Sequence, residues 1–382
     1  MSGTARDARL SAVLRRRWRP VTLGLALGAA LMTLALWGVP LDQVGEALVS
    51  ADPAWLAVPA ALFLVQQTLR AWRQYLLLRA AHPEHRFRTS LSVLCISFLL
   101  INTLPARLGE LSRPLLLLER EGIPTGSGFA MVFVERVLDL TSMLVMIALV
   151  AWLVDVPSHT LVVQGVEVDW VRLGRVAAGT AGPLLFLGLV GVLVAGRPLV
   201  TAARARLGGA PELVQRLGRP VLGFAEGFVG GIDAIRAPRR LAPVLALTAL
   251  TWTLTGWMYP AMAAAFGLHG WLDFGQGIGV LSITMLGMAV PAAPGFAGTY
   301  EAFVRGALAL FGVAGAEPAT AGGPSLDAIA VAFALTMHWW IYLVQACTAV
   351  FFMAVDRVDV GRLMQRLGAE LSGSDAAERA EG

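Results

Sequence analysis

The chain contains no lysine; all 30 of its basic residues are arginine. That bias points to a GC-rich bacterial genome rather than to a mechanism, but it leaves the guanidinium as the one permanent side-chain cation. Charge of either sign is scarce. Only 15% of the residues are charged, against roughly 25% in a soluble domain, which excludes an ordinary soluble fold. Cysteine is nearly absent: Cys95 and Cys347 lie far apart in apolar runs, so neither a disulfide nor a metal framework is expected. No Walker A loop or GxGxxG fingerprint occurs, and no serine–histidine–acid or metal–hydrolase constellation stands out. His82 and His85 flank Pro83 without further ligands, so no metal and no cofactor is expected.

What the chain does have is apolar sequence, at 57% hydrophobic residues and a mean hydropathy of +0.68. The expected fold class is therefore an all-α polytopic membrane protein. Runs long enough to cross ~30 Å of hydrocarbon as helices are Val21–Val39, Ala54–Trp72, Phe129–Val154, Val176–Ala195, Leu241–Phe266 and Ala328–Met353. Trp18, Trp37, Trp55 and Trp72 bracket the first two, where an indole settles at the headgroup level. The first run follows Arg15, Arg16, Arg17 and Arg19 like a signal peptide, but it is too long for one and ends without a small-residue cleavage site, so it reads as a retained span.

Arginine placement orients these spans. Segments 1–20, 73–90, 105–128, 196–240 and 356–366 contain arginine, whereas 40–53, 155–171, 267–273 and 312–327 contain none. By the positive-inside rule both termini are cytoplasmic, and the expected location is the bacterial cytoplasmic membrane. Residues 91–118 must then enter and leave from the inside, and 274–311 from the outside. About six full spans plus two helical hairpins from opposite sides result, with the second either re-entrant or two full spans. Residues 54–154 and 241–355 repeat the layout span, hairpin, span in opposite orientations, as in inverted-repeat transporters. The rest divides into a basic N-terminus (1–20), an acidic tail (356–382) and a linker (196–240). Within the linker Val214, Leu217, Val221, Phe224, Phe228, Ile232 and Ile235 recur at helical spacing. That pattern predicts an amphipathic helix along the inner membrane surface, joining the halves.

Three clusters place charge where lipid-facing sequence would be apolar, and such residues pair, face a cavity or handle substrate. After Asn102, Pro105 and Gly109 break the helix and bring Arg107, Glu110 and Arg113 together, a candidate phosphate seat or a positive-inside loop. Glu135, Arg136 and Asp139 fall inside a span, where Arg136 reaches Asp139 at i,i+3, as a structural pair, a functional group or both. Pro294, Gly295 and Gly298 form a broken hairpin followed by Glu301 and Arg305. A helix start there would offer N–H groups to an anion, or Glu301 would pair with Arg305 to support the turn. His338, beside Trp339 and Trp340, reads as an interfacial or packing residue.

These blocks resemble the transmembrane domain of lysylphosphatidylglycerol synthases, the flippase-like domain family. The resemblance runs from Ile101-Asn102 through Glu110 and Arg113 to Phe133-Val-Glu135-Arg136-Val-Leu-Asp139, then to Pro294-Gly295, Gly298 and Glu301. Phe296 stands where that family often has a second glycine. The resemblance implies movement of a lipid headgroup between leaflets by a member without the soluble aminoacyltransferase domain. Arg107, Arg113 and Arg136 would hold an anionic lipid, while Glu110, Glu135, Asp139 and Glu301 balance charge or carry protons. Two other readings stay open: the membrane subunit of a lipid- or glycolipid-modifying enzyme, and a scaffold for such an enzyme. The expected partners are anionic lipids, with a homo-oligomer or a lipid-synthesis enzyme possible.

Overall fold

The structure, a computed structural model, describes residues 24–104, 109–153, 160–163, 166–209, 211–234, 238–288, 294–313, 323–359, 361 and 363. Arg107, the basic N-terminus to residue 20 and nearly all of the acidic tail lie outside them. The described chain is helical except for one ribbon. The helices are α1 (Gly24–Leu36), α2 (Leu41–Ser50), α3 (Pro53–Arg79), α4 (Phe87–Thr103), α5 (Ser112–Glu121) and α6 (Thr125–Leu153). They continue as α7 (Trp170–Gly208), α8 (Glu212–Ala234), α9 (Pro238–Ala265), α10 (Phe274–Gly287), α11 (Thr299–Leu310) and α12 (Leu326–Val355).

Local chemistry sets these boundaries. The Asp52 carboxylate accepts from Ala54 N and Pro53 opens α3, so a missing N–H falls where no partner is needed. Asp273 and Gln276 form a reciprocal capping box on α10. Gly122, at φ +65°, ends α5 in the left-handed conformation that glycine adopts without strain.

Ala54–Trp72, Val176–Ala195 and Ala328–Met353 fall within α3, α7 and α12, and the described parts of the other three expected spans lie largely in α1, α6 and α9. Among the described residues, Arg239–Ala265 and Leu326–Val355 are long and apolar enough to cross a membrane, and the α1–α2 pair, bent by 84°, is a third candidate. Large apolar side chains stay exposed on the outer faces, among them Leu149, Leu184, Val350 and Phe351, as lipid contact requires. The expected hairpins are the pairs α4–α5 and α10–α11. At 1.5 Å per residue, the 14 residues of α10 and the 12 of α11 each fall short of ~30 Å of hydrocarbon.

Two expectations need correction. The segment 155–171, read as a loop, carries an antiparallel ribbon: β1 (Thr160–Val163) pairs with β2 (Val166–Asp169), Thr160 opposite Asp169 and Val163 opposite Val166. The expected amphipathic helix exists as α8, but it is more than a surface strap. It packs against α6 and α7, with the Phe224 ring on Phe129 and Phe228 on Phe133, at centroid distances of 5.6 and 5.1 Å.

The helix packing is ordered. α3 runs along α9; α4 packs on α12, and α10 on α6. α2 packs on α12, and α8 on α6. α5 sits between α4 and α6, and α11 between α10 and α12. These pairs map onto one another when α2–α6 are exchanged with α8–α12.

At the foot of the α4–α5 hairpin Asp356, just past α12, gathers three donors. Arg88 Nη2 donates to it at 2.6 Å, Arg120 Nη1 donates at 2.5 Å, and Ser92 Oγ donates as well. Burial raises the Asp356 carboxyl, but the Ser92 and Arg120 hydrogen bonds and the charges of Arg120 and Arg88 outweigh it, so the net direction is down. A depressed carboxyl contributes stability above its unfolded value near 4 and loses it as pH falls through the lower folded value. Thermal stability of the purified protein is therefore expected to drop below about pH 4, and Asp356→Asn is expected to flatten that acid limb. An unchanged limb in the variant would remove Asp356 from the account.

Candidate functional site

The polar residues of α3 fall at helical spacing: Gln66, Gln67, Arg70, Arg73 and Gln74 line one face of an otherwise apolar helix. That face turns inward against α4, α6 and α9. The cost of burying it is met largely by carboxylates from α6. Arg73, 1% exposed, donates from Nη1 and Nη2 to the two Asp139 oxygens at 2.8 and 3.3 Å. Its Nε lies 3.7 Å from Glu135. Glu135 also receives Arg113 Nη1 from the hairpin helix α5. Two guanidinia and two carboxylates thus form one buried network that ties α3, α5 and α6 together. Removing either sign from such a network strands the other.

The expected Arg136–Asp139 pair is not formed, because Arg73 takes both Asp139 oxygens. No hydrogen bond or ion pair among the described residues engages Arg136 or Arg70. Arg70 instead lies over the rings of Phe98 and Trp252, 5.3 and 5.8 Å from their centroids.

Both arginines line an open cavity of about 270 Å³ between α3, α4, α6 and α9–α12. Of the expected site residues, Glu110, Arg136, Asp139 and Gly295 reach its wall. Arg113 and Glu135 lie behind that wall in the ion-pair network. The two chain breaks meet at this cavity: a Cβ on Gly295 would come within 3.6 Å of the Asn102 carbonyl, and the turn Pro294–Phe296 packs on α4. Asn102 Nδ2 in turn donates to Gln345 Oε1 of α12 at 3.4 Å.

The second break is stiffer than the sequence suggests. Gly295 and Gly298 have φ of +70° and +81°, and Phe296, in the place of the resembled family's frequent glycine, also stands at a positive φ of 58°. α11 does begin directly after Gly298, and the N–H of this N-cap residue is engaged within the chain. Gly298 N donates to Glu301 Oε2 at 2.8 Å, half of a capping box supplied by the helix itself. Nor does Glu301 pair with Arg305. Its other oxygen accepts from His338 Nδ1 at 2.7 Å. His338 therefore lines the cavity as Glu301's partner, stacked 4.5 Å from the Tyr300 ring. Arg305 donates to the carbonyls of Ala35 (2.8 Å), Trp37 (3.2 Å) and Leu34 (3.4 Å). A cation there satisfies the open C-terminus of α1. Arg305 Nη2 also lies 3.8 Å from Asp327.

Sequence reasoning missed Arg70, Arg73, Gln66, Gln67 and Gln345. Their signal was polar residues at helical spacing inside runs otherwise fit to face lipid. The profile of the lysylphosphatidylglycerol synthase transmembrane region matches residues 21–323 of this chain. The chain belongs to that family. The family match includes α3–α6 and the second break, whereas His338 and Gln345 lie beyond it. The chain is also 28% identical over 323 residues to a curated relative, glycosyltransferase AglD of Haloferax volcanii, covering 76% of this chain and 50% of that protein. The chain thus spans about half the length of the relative it matches. No solved structure matches it significantly. The family match and the apolar helices mark this as a membrane protein.

Proposed function

We propose that this protein is a translocase moving an anionic phospholipid, glycolipid or polyprenyl-phosphate-type lipid between leaflets. The observation that carries it is the cavity at which the breaks of both halves meet, Asn102 beside Gly295, under two arginines that no carboxylate among the described residues hydrogen-bonds. A headgroup needs such a polar seat inside the bilayer, and arginine is the side chain best fitted to phosphate. The exchange of packing partners between α2–α6 and α8–α12 supports an inverted repeat. The short hairpin helices support two re-entrant elements, one from each side. The arginine distribution supports cytoplasmic termini in the bacterial cytoplasmic membrane.

A second reading, the membrane subunit of a glycolipid-modifying enzyme, is favoured by the name of the curated relative. Proteoliposomes carrying labelled anionic lipid separate the two. Protein-dependent exchange between leaflets is expected, falling about tenfold or more in Arg136→Ala and Glu301→Gln while both variants keep the wild-type elution profile. No exchange of any anionic lipid by well-folded protein would reject the translocase and leave the enzyme subunit.

A further inference from the structure

Resting on the translocase reading, we infer that Glu301 and His338 form a proton-binding site, and that a proton crosses the membrane in the same direction as each anionic lipid. The carboxylates around the cavity are held in two different ways. Asp139 is bonded by Arg73 and Glu135 by Arg113, and a guanidinium keeps its proton at any physiological pH. Those pairs hold helices together and have no proton to exchange. Glu301 is 1% exposed, and among the described residues its side chain accepts from Gly298 N at 2.8 Å and His338 Nδ1 at 2.7 Å. A carboxylate so deeply buried needs a cation. Its one side-chain partner is an imidazole, which gains and loses charge near neutral pH.

Both Glu301 oxygens accept, as a carboxylate's do, which puts a hydrogen on His338 Nδ1. Nε2 is then the ring nitrogen that takes a proton from water on one side and returns it on the other. His338 lines the cavity that the lipid enters. An anion there favours the imidazolium, and by reciprocity the imidazolium favours the anion. The cavity therefore fills with lipid and proton together and empties of both. The same Glu301 carboxylate caps α11 through Gly298 N, so the proton also acts on the second chain break. No other wall group competes for this role except one. Tyr259 of α9, Tyr300 of α11 and Tyr342 of α12 share the wall, and a phenol keeps its proton near neutral pH. Arg70 and Arg136 are permanent cations, and Asp139 is held by Arg73. Among the described residues the lining from α4 and α10 has no titratable side chain, and α2, which also packs on α12, contributes nothing to the wall. Glu110, before α5, is the remaining wall carboxylate.

The test uses proteoliposomes of the full chain, with the membrane potential clamped at zero by potassium and valinomycin. Labelled phosphatidylglycerol, sulfoquinovosyl diacylglycerol and polyprenyl phosphate are screened for exchange between leaflets, and each lipid that exchanges is followed under a proton gradient. Under a gradient of about tenfold, wild type is expected to accumulate lipid about tenfold in the leaflet facing the alkaline side, beyond any asymmetry in protein-free vesicles. His338→Gln keeps a donor for Glu301 but takes up no proton. It should bring the lipid to equal leaflets under the same gradient, with an unchanged elution profile. Glu110→Gln should still accumulate. The wild-type asymmetry decides the coupling even where a variant folds poorly. Equal leaflets in wild type, or accumulation on the acidic side, overturns the coupling and leaves the translocase reading standing. Accumulation that survives in His338→Gln, or is lost in well-folded Glu110→Gln, overturns the assignment to Glu301 and His338. No exchange of any of the three lipids removes the translocase reading, and the coupling with it.

Discussion

Replacing Arg73 by leucine is expected to be the most destabilising single change in the described chain, at about 3–5 kcal/mol. The side chain is 1% exposed and, among the described residues, is the sole hydrogen-bonding cation on Asp139, as well as a close neighbour of Glu135. Its loss leaves a carboxylate with no cation bonded to it among apolar helices. The cost comes mainly from the stranded charge and little from the contact itself. The double variant Arg73→Leu/Asp139→Leu should therefore recover much of the loss, because a buried pair replaced by apolar residues of similar volume is often neutral. Thermal unfolding in detergent measures both. A single variant as stable as wild type, or a double variant that loses the sum of the two single effects, would show that the network is not coupled in this way.

Gly298→Ala is expected to be the most damaging change at a chain break. The added Cβ would stand 1.9 Å from the Gly28 carbonyl oxygen of α1 and 2.8 Å from Met32 N, both backbone atoms that cannot swing aside. The residue also holds φ at +81°. An L side chain held in so sparsely populated a conformation costs about 1–3 kcal/mol, and forcing extra volume into a packed contact adds about 1–3 kcal/mol. Gly306→Ala on the same helix is the control, with nothing within 4 Å of its added Cβ. It should be neutral or stabilise by up to about 1 kcal/mol, since alanine favours helix. Comparable Tm losses for the two would contradict the close approach of α1 to the break.

The positions of the helices were legible in the sequence because hydrocarbon thickness imposes a length on apolar runs. Both breaks were legible because proline and glycine punctuate the chain. The repeat of seven apolar residues through 214–235 gave α8, although its docking on α6 depends on Phe129 and Phe133, which carry no mark of their own in sequence. Ion-pair partners were not legible. Spacing along one helix suggests neighbours three or four residues away, so it joined Arg136 to Asp139 and Glu301 to Arg305. The structure instead joins Asp139 to Arg73 and Glu301 to His338. Tertiary partners in a bundle are fixed by which faces meet, and no single-sequence period records that. Arg70 and Arg73 were hidden for a second reason. They sit where an apolar run gives way to a basic segment, so the positive-inside rule accounts for them without any site. The ribbon was missed because the absence of arginine in 155–171 says which side of the membrane it occupies and nothing of its pairing.

The packing of α4 on α12, and of α10 on α6, also fixes an order of events during synthesis. The first hairpin is complete long before its neighbour emerges, since α12 is the last long helix of the described chain. Until then Ser92, Arg120 and Asn102 have neither Asp356 nor Gln345 to meet. The second hairpin has no such wait, because α6 is already in the membrane when α10 appears. The first hairpin therefore gains its packing partner only when α12 has been made. A chain stalled on the ribosome before α12 is expected to leave Cys95 of α4 more reactive to water-soluble thiol reagents than it is once α12 has packed on that helix.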